Sequence, residues 1–393
     1  MNSFHATGWV VLLALGAFGC ASPTTAPMTP GPGADGLGRF NVRTFGAKGD
    51  GQTDDTQAFQ AALDAAAKVS GTVLVPTGTY RVGKLIWHDH ASMMRDPGWS
   101  YYIPGGSVLE LNDPGVDCMI DFTYCRGARL YGLSLVGRNL GKNVHGVLIR
   151  PHETNEPPAR GKREDFPAIE RCMVRGFTGN GLDMDVWCMS LRSCAIGYNR
   201  GDGFNYKHAD AMVIDNWFSN NKGAGIRAVQ GTGSSTFTAN RIEWNRGGNM
   251  VVRNAWNWNI TGNCFDRAAG PSLYLMGDCH DFTITGNLFL RSGAVLDRGR
   301  ELAKQDRCAV RLVGVDGLTF TGNSTTVGGN DASMQRAAPT PECGLIMHHL
   351  QNAVITGNRL VGTKQAVLDL GEHGDQVIVR DNIAQVRPAN DAK

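Results

Sequence analysis

Two acidic residues occupy the same place in consecutive copies of a short sequence pattern. Glu243 ends the segment NRIE, and Asp266 ends the segment NCFD, 23 residues later. If each copy forms one strand of a parallel stack, adjacent strands lie about 4.8 Å apart, and the two carboxyl groups should face solvent roughly 5 Å from each other. Like charges this close resist double ionisation, so that one group keeps a proton while the other stays charged. An acid beside a base is what glycoside hydrolysis requires, and the spacing leaves retention and inversion both open.

Side chains near this pair extend the prediction to substrate binding. Trp244 follows Glu243 directly, and Trp217 lies one copy of the pattern earlier. Tryptophan rings offer apolar faces on which sugar rings can stack. We predict Glu243 and Asp266 as catalytic residues, and Trp217, Trp244 and Arg267 as substrate contacts. The alternative is a pair of solvated carboxylates with Arg267 or Arg241 as a surface partner, an interaction of little energy.

A second polar patch is predicted on another outward column of the same pattern. Asp183 and Asp185 should lie beside Lys207 and Arg227, with Arg253 further along the stack. Such a patch suits β-elimination or epimerisation of a uronic-acid polymer, in which a cation neutralises the sugar carboxylate and a basic side chain removes the C5 proton. The neighbouring Asp185 favours the charged form of Lys207, which argues against Lys207 as the base. An ordinary salt bridge across neighbouring strands is the alternative.

These residues belong to an internal repeat that covers most of the chain. Hydrophobic runs end at similar positions in nine successive copies, and the separations are 22, 22, 24, 23, 24, 36, 35 and 24 residues. The two long steps equal one repeat plus an insertion of about twelve residues. The residues that end the runs are Cys172, Cys194, Asn216, Asn240, Asn263, Asn287, Asn323, Asn358 and Asn382.

The residues inside each repeat predict the fold. Apolar residues recur three positions before each terminal residue and two positions after it, with local alternation typical of short strands. An Asn at one corner of every turn can build a hydrogen-bonded ladder along the stack. The sequence therefore predicts an all-β, single-stranded parallel β-helix with rungs of about 22–24 residues.

The segment before the repeats should cover one end of the stack. Phe40 to Val82 is typical of a strand, a loop, a helix and a strand, with Asp54 or Asp55 as the helix cap. Phe59, Leu63 and Ala66 form one apolar stripe on that helix. A short amphipathic helix is a suitable cap for the open end of a solenoid.

The sequence FGAKGDGQTDDTQAFQAAL, followed by VPTGTY, resembles the entry module of the pectate-lyase-like superfamily. The resemblance covers Phe40 to Arg387 and implies a right-handed parallel β-helix. Superfamily members include polysaccharide lyases, polygalacturonases, uronan epimerases and phage tailspike depolymerases. The motif is specific for the fold and says little about the reaction.

The chain departs from two of these groups. Polygalacturonases carry pairs of aspartates, whereas the segment Asn199 to Phe204 holds a single Asp. Pectate lyases use a calcium cluster, and only Asp183 and Asp185 match it in part, too few for the six to eight oxygens of calcium. We therefore predict no metal or other cofactor, with calcium an option only for a lyase.

Composition and the N-terminal segment limit the partners and the location. Lys and Arg total 38 and Asp and Glu total 36, so that no net field favours nucleic acid or an anionic membrane.

An apolar run at Gly8 to Gly19 precedes Cys20. This pattern resembles a lipoprotein signal and makes Cys20 a candidate lipidation site; ordinary cleavage near Ala21 is the alternative. The predicted parts are a signal at 1–20, a disordered tether at 21–38, the β-helix at 39–388 and a tail at 389–393.

The sequence thus predicts an exported protein, in the periplasm, on the outer membrane or outside the cell. Its expected partner is a polysaccharide, with a membrane contact only through a lipid anchor. The leading hypothesis is a hydrolase using Glu243 and Asp266. A lyase or epimerase at the Lys207 patch and a non-catalytic glycan-binding solenoid are the alternatives, and monomer and homotrimer are both left open.

Overall fold

The computed structural model describes residues 36–88, 92–95, 106–123, 125–150, 166–293, 302–326 and 341–386. The predicted signal, most of the tether, Cys20 and the C-terminal tail lie outside these residues. No helix within the described ranges is long and apolar enough to cross a membrane.

The described residues form a right-handed parallel β-helix with three faces, one helix and two 3-10 turns, at Val42–Phe45 and Lys304–Asp306. Its strands are numbered in chain order. Face one contains β5 (Leu85–Ile86), β8 (Cys118–Asp121), β11 (His145–Ile149), β14 (Leu182–Trp187), β17 (Phe204–Ala209), β20 (Ile226–Ala228), β23 (Met250–Arg253), β26 (Leu273–Met276) and β33 (Gln365–Asp369). Face two contains β1 (Arg39–Asn41), β3 (Thr72–Val75), β6 (Ser92–Arg95), β9 (Arg129–Tyr131), β12 (Ala168–Glu170), β15 (Ser190–Arg192), β18 (Met212–Ile214), β21 (Thr232–Thr238), β24 (Ala255–Thr261), β27 (Cys279–Thr285) and β34 (Val377–Arg380).

Two longer strands, β29 (Cys308–Thr321) and β31 (Cys343–Thr356), run across faces one and two and join them in one sheet. Face three is a separate sheet of β2 (Asp50–Asp54), β4 (Gly78–Val82), β7 (Ser107–Leu111), β10 (Ser134–Val136), β13 (Met173–Arg175), β16 (Ala195–Gly197), β19 (Trp217–Ser219), β22 (Arg241–Glu243), β25 (Cys264–Asp266), β28 (Leu288–Leu290), β30 (Ser324–Thr326), β32 (Arg359–Thr363) and β35 (Ile383–Val386). The predicted parallel stack is confirmed.

The core is the column of inward side chains that the repeat predicted. In the first eight of the nine repeats, the residue three positions before the terminal residue is fully buried: Ile169, Leu191, Val213, Phe237, Ile260, Ile284, Phe320 and Ile355. Because these side chains stack directly on one another from rung to rung, the core is continuous along the helix axis.

The predicted asparagine ladder is also present. Asn240 donates from its backbone N and its Nδ2 to Oδ1 of Asn263, at 2.9 and 3.0 Å, and the same pattern links each pair from Asn216 to Asn382. Each Nδ2 also donates to a carbonyl of the preceding rung, as Asn263 does to Phe237 at 2.9 Å. At the start of the ladder the sulfur of Cys194 accepts from the backbone N of Cys172.

Asn263→Ala should lower the free energy of unfolding by about 3 kcal/mol, because it removes the acceptor of Asn240 and the donor to Phe237 in a buried site. Urea unfolding followed by circular dichroism measures the change. The control is Asn259→Ala, since Asn259 is exposed on the adjoining strand and should cost less than about 0.5 kcal/mol. Equal losses in both variants would contradict a stabilising ladder.

The N-terminal helix α1 (Thr56–Ala67) lies against the first strands, and Phe59, Leu63 and Ala66 are buried as predicted. Gln60 donates to the carbonyl of Ile86 and accepts from its amide, both at 2.9 Å, and so satisfies the edge strand β5. Of the two candidate caps, Asp54 accepts from the Thr56 amide. Asp55 instead accepts from the amides of Lys48 and Gly49.

Candidate functional site

The two predicted catalytic carboxylates lie on adjacent strands of face three. Glu243 on β22 pairs in register with Asp266 on β25, as the repeat predicted. The expectation that both face solvent is wrong: Glu243 is 4% exposed and Asp266 is 0% exposed. Both residues occupy outward positions, but long side chains from the same and neighbouring rungs cover them.

Arginines surround Asp266. Arg291, in the next rung, donates Nε–H to Oδ1 at 2.9 Å, and Arg267 forms a close ion pair with Oδ2. Burial raises the pKa of Asp266, and Arg291 and Arg267 act in the opposite direction. Arg267, predicted as a substrate contact, is thus engaged within the protein, and its guanidinium also lies 4.6 Å from the ring centre of Trp244.

Glu243 has two partners of its own. Arg241 lies 2.8 Å from Oε2, and Trp217 donates its indole N–H to Oε1 at 2.9 Å. Glu243, Trp217, Trp244 and Tyr198 line a cavity of about 410 Å³ on face three. Asp266 has no exposed surface and does not line this cavity.

The second predicted patch lies on face one, where an outward column of polar residues crosses three rungs. Asp183, Asn205 and Arg227 are in direct register on β14, β17 and β20. Arg227 donates Nε–H to Asp202 at 2.8 Å and is about one-third exposed. Arg253, on β23, is exposed.

Asp183 is the centre of a dense group of hydrogen bonds. Lys207 Nζ lies 3.0 Å from Oδ1, and the side-chain amides of Asn180 and Asn205 donate to Oδ2 at 2.8 and 3.2 Å. His145 Nδ1 lies 3.7 Å from the same Oδ2. Lys207 lies in register with Asp185, as predicted, but its ammonium pairs with Asp183, because its four-carbon side chain reaches back along the strand.

Asp185 has a different partner, His208. Its Oδ1 lies 3.2 Å from Nδ1 of His208. His208 has a backbone φ of +87°, at the corner between faces one and two. Few residues other than glycine adopt such a φ, so that the backbone is strained here. The imidazole is thereby turned away from the position that a regular strand would give it. The ring stacks on Trp187 with centroids 5.5 Å apart.

We use the name face-one cluster for Asp183, Asp185, Lys207, His208 and Arg227. Part of it lines a groove of about 410 Å³, in which Asp185, Lys207 and His208 meet Trp187 and Trp256. The groove thus combines a cation, a carboxylate–imidazole pair and two aromatic walls. These groups suit a ring-shaped, anionic ligand such as a uronic acid.

His145 borders the cluster. Its pKa is lowered because it is buried, and Lys207 lowers it further while Asp183 opposes the shift. The backbone amide of Asn180 donates to Nδ1 at 3.1 Å, so that the neutral ring carries its proton on Nε2.

This arrangement predicts a pH dependence of stability. The pKa of His145 is lower in the folded protein than its value of about 6.5 in the unfolded chain. As the pH falls below about 6.5, the unfolded chain takes up the proton more readily than the folded protein, and the free energy of unfolding decreases. Unfolding free energies of the wild type and of His145→Gln should therefore converge or cross as the pH falls from 7.5 to 5.5. Parallel curves would contradict a lowered pKa of His145.

Comparison with known proteins places the fold. Residues 39–99 match the family model "Rhamnogalacturonase A/epimerase, pectate lyase-like", and residues 177–301 match "Right handed beta helix region". The A-module of mannuronan C-5 epimerase AlgE6 from Azotobacter vinelandii superposes with a TM-score of 0.62 at 21% identity, over 88% of this chain and 91% of that one. The two matched stretches thus resemble pectate-lyase-like and right-handed β-helix proteins.

Two curated relatives of the chain come from the same bacterium, Azotobacter vinelandii. Mannuronan C5-epimerase AlgE3 is 30% identical over 226 residues, which are 54% of this chain and 12% of that protein. Alginate lyase 7 is 66% identical over 44 residues, which are 11% of this chain and 5% of that protein. The chain therefore spans only a small part of these relatives, whose names describe carbohydrate-active enzymes.

The described residues of this β-helix do not fit a calcium site at the face-one cluster. Asp183 is paired with Lys207, Asp202 with Arg227, and Asp121 with both Lys84 and Arg150. Each of these carboxylates thus has a cationic partner, and no group of three acidic or histidine donors meets there within the described ranges. Calcium needs six to eight oxygen ligands, more than these paired carboxylates supply.

Sequence reasoning missed several residues of this site. Trp187 lies two positions after Asp185 on the same strand, so that a longer outward column would have included it. His208 directly follows Lys207 and is in register with the buried Val186, so that strand alternation alone places it inward. His145 and Trp256 carry no such signal, because an insertion separates β11 from β14 and Trp256 lies on a face-two strand.

Proposed function

We propose that this protein is an enzyme that acts on a uronic-acid polysaccharide by removing the proton at C5, as a lyase or an epimerase. The observation that carries the proposal is the face-one groove, in which the Lys207 ammonium adjoins a His208 imidazole that Asp185 holds in place. The hydrolytic alternative is less well supported, because Asp266 is enclosed by arginines and does not line the face-three cavity.

Removal of the C5 proton places negative charge on the carbon next to the sugar carboxylate. The electron pair of the C5–H bond enters the carboxylate as an enediolate, which carries one more negative charge than the substrate. Cations at the carboxylate stabilise this state, and preorganised charges are worth more in a partly dry groove than in water. Lys207 and Arg227 are the cations of the cluster that can take this role.

His208 is the proposed base. When Asp185 accepts the Nδ1–H bond, the lone pair of the imidazole lies on Nε2, and the carboxylate stabilises the imidazolium that forms. In a lyase, the enediolate then expels the glycosidic oxygen from its own C4 and a C4–C5 double bond forms. The leaving oxygen, which stays on C1 of the neighbouring sugar, takes up a proton. In an epimerase, C5 regains a proton on its opposite face.

The relatives support this chemistry through their names alone. A mannuronan C5-epimerase and an alginate lyase both appear among the matches. The two reactions share the loss of the C5 proton and differ only in the fate of the resulting enediolate. The face-one cluster supplies groups for the shared step, and so we propose the shared step as the function.

A substrate panel tests the proposal. The tag-free chain is incubated with polymannuronate, polyguluronate, polygalacturonate and a neutral β-glucan. The expected products come from a uronate only: an unsaturated sugar seen by ultraviolet absorbance, or an inverted C5 seen in the anomeric region of the proton NMR spectrum. Reducing ends without either product would favour hydrolysis. Binding without any product would favour a glycan-binding solenoid.

His208→Gln should lower kcat/KM on the active uronate by about 10²-fold, the lower end of the range for loss of a general base. Glutamine keeps a polar side chain of similar reach but accepts no proton. Asp185→Asn should reproduce part of this loss, since it removes the partner of Nδ1. Unchanged kcat/KM in His208→Gln would transfer the base role to another group.

A further inference from the structure

Two histidines and a glutamate meet near the end of the described stack, far along the chain from the face-one cluster. His349 Nε2 lies 2.8 Å from Oε2 of Glu372, and His348 Nε2 lies 3.3 Å from the same oxygen. The ligand atoms of the three residues all lie within 4.8 Å of one another. We propose that His348, His349 and Glu372 form a binding site for a divalent transition-metal ion, with zinc as the best-fitting ion.

The donor set and its spacing favour zinc. Zinc binds imidazole nitrogen at about 2.0–2.1 Å and carboxylate oxygen at about 2.0–2.2 Å, and so two tetrahedral ligand atoms stand about 3.4 Å apart. The separation of 3.3 Å between His348 and Glu372 fits this geometry, and that of 2.8 Å between His349 and Glu372 needs to open by about 0.6 Å. Calcium and magnesium prefer oxygen ligands throughout, so that two imidazoles disfavour them.

The backbone at His349 supports a role for its side chain. His349 has a φ of +51° at the corner of its rung, and the preceding rung has Gly314 at the equivalent place, between the register pairs Val313–His348 and Val315–Leu350. Glycine adopts this conformation without strain, whereas a histidine does so at a cost. The chain nevertheless places an imidazole here, directed at Glu372.

Hydrogen bonds fix the turn that carries Glu372. His373 accepts the backbone N–H of Leu350 at Nδ1, at 3.0 Å, and its Nε2 lies 2.7 Å from Asp369. Asp369 also accepts the Gly371 amide, which fixes the turn that carries Glu372.

The site would link two successive rungs, because the histidines lie on β31 and Glu372 follows β33. The last rung needs such a link: Ile378, Val379 and Ile383 are more than 40% exposed there, so that little apolar burial holds it. A bound ion would therefore act as a clip that stabilises this end of the stack.

The test is zinc binding to the full, tag-free chain after dialysis against a chelator. Isothermal titration should show a zinc site that His349→Gly weakens at least 100-fold and that Glu372→Gln also weakens. Cobalt should give the intense visible absorption of a four-coordinate ion, and saturating zinc should raise the thermal midpoint by about 4 °C at a hundredfold excess over Kd.

Two controls make the outcome decisive. His349→Gly restores the residue of the preceding rung, and so its metal-free thermal midpoint should not fall below that of the wild type. His280→Ala removes an exposed imidazole that is paired with Asp281, and should leave the zinc site intact. Equal zinc affinity and equal thermal shifts in the wild type and in His349→Gly would overturn the proposal.

Discussion

Lys207→Met should lower kcat/KM on the active uronate by about 10³-fold while the protein stays folded. Methionine keeps the length of the side chain and removes the ammonium. Loss of a single preorganised charge or donor at a developing anion typically costs about 10²–10³-fold, and Lys207 is the cation that both approaches Asp183 and lines the groove. Steady-state kinetics with a defined oligouronate measures the loss.

The matched control for this variant is Lys364→Met. Lys364 forms an ion pair of similar length, 2.8 Å to Glu342, but lies just before β33, several rungs away from the groove. It should leave kcat/KM unchanged. A similar loss in both variants would point to a general effect on folding or charge, and full activity in Lys207→Met would remove Lys207 from the site.

Asp266→Ala should lower the free energy of unfolding by about 3–5 kcal/mol, because it leaves the guanidinium groups of Arg267 and Arg291 in a buried site without their carboxylate. Chemical denaturation of the purified variant measures this. Asp64→Ala, on the exposed side of α1, is the control and should change stability by less than about 0.5 kcal/mol.

A substitution at Glu243 separates the two functional hypotheses. If Asp266 is structural, Glu243→Gln, which keeps the volume of the side chain, should retain most of the uronate activity. If Glu243 and Asp266 are a catalytic pair, Glu243→Gln should abolish cleavage while the stability changes little. Loss of all activity in Glu243→Gln would therefore contradict the placement of the reaction on face one.

The repeat made the backbone predictable from sequence. Spacing alone located the strands, the inward column and the asparagine ladder, because identical positions on successive rungs must coincide in a parallel stack. A second ladder, Asn199–Asn221–Asn245, was missed. Each of its residues begins a three-residue segment that reads Asn-Arg-Gly or Asn-Lys-Gly. Its signal was present but lay outside the column chosen for alignment.

Side-chain partners were much less predictable. Register placed Lys207 beside Asp185, yet the flexible side chain reaches Asp183. Register also placed Glu243 and Asp266 at outward positions, but it contains no information on which long side chains cover them. The corner at His208 depends on a φ of +87°, which a repeat of strand residues does not indicate.

Breakage of the C5–H bond of a uronate is the central step of the proposed reaction, and solvent exchange tests it most directly. Polymannuronate and polygalacturonate would be incubated with the full chain in deuterium oxide, and products analysed by mass spectrometry and NMR. We predict deuterium at C5 for an epimerase, or loss of the C5 hydrogen with a new double bond for a lyase, each strongly reduced in Lys207→Met. New chain ends whose C5 hydrogen is fully retained would contradict the proposed reaction.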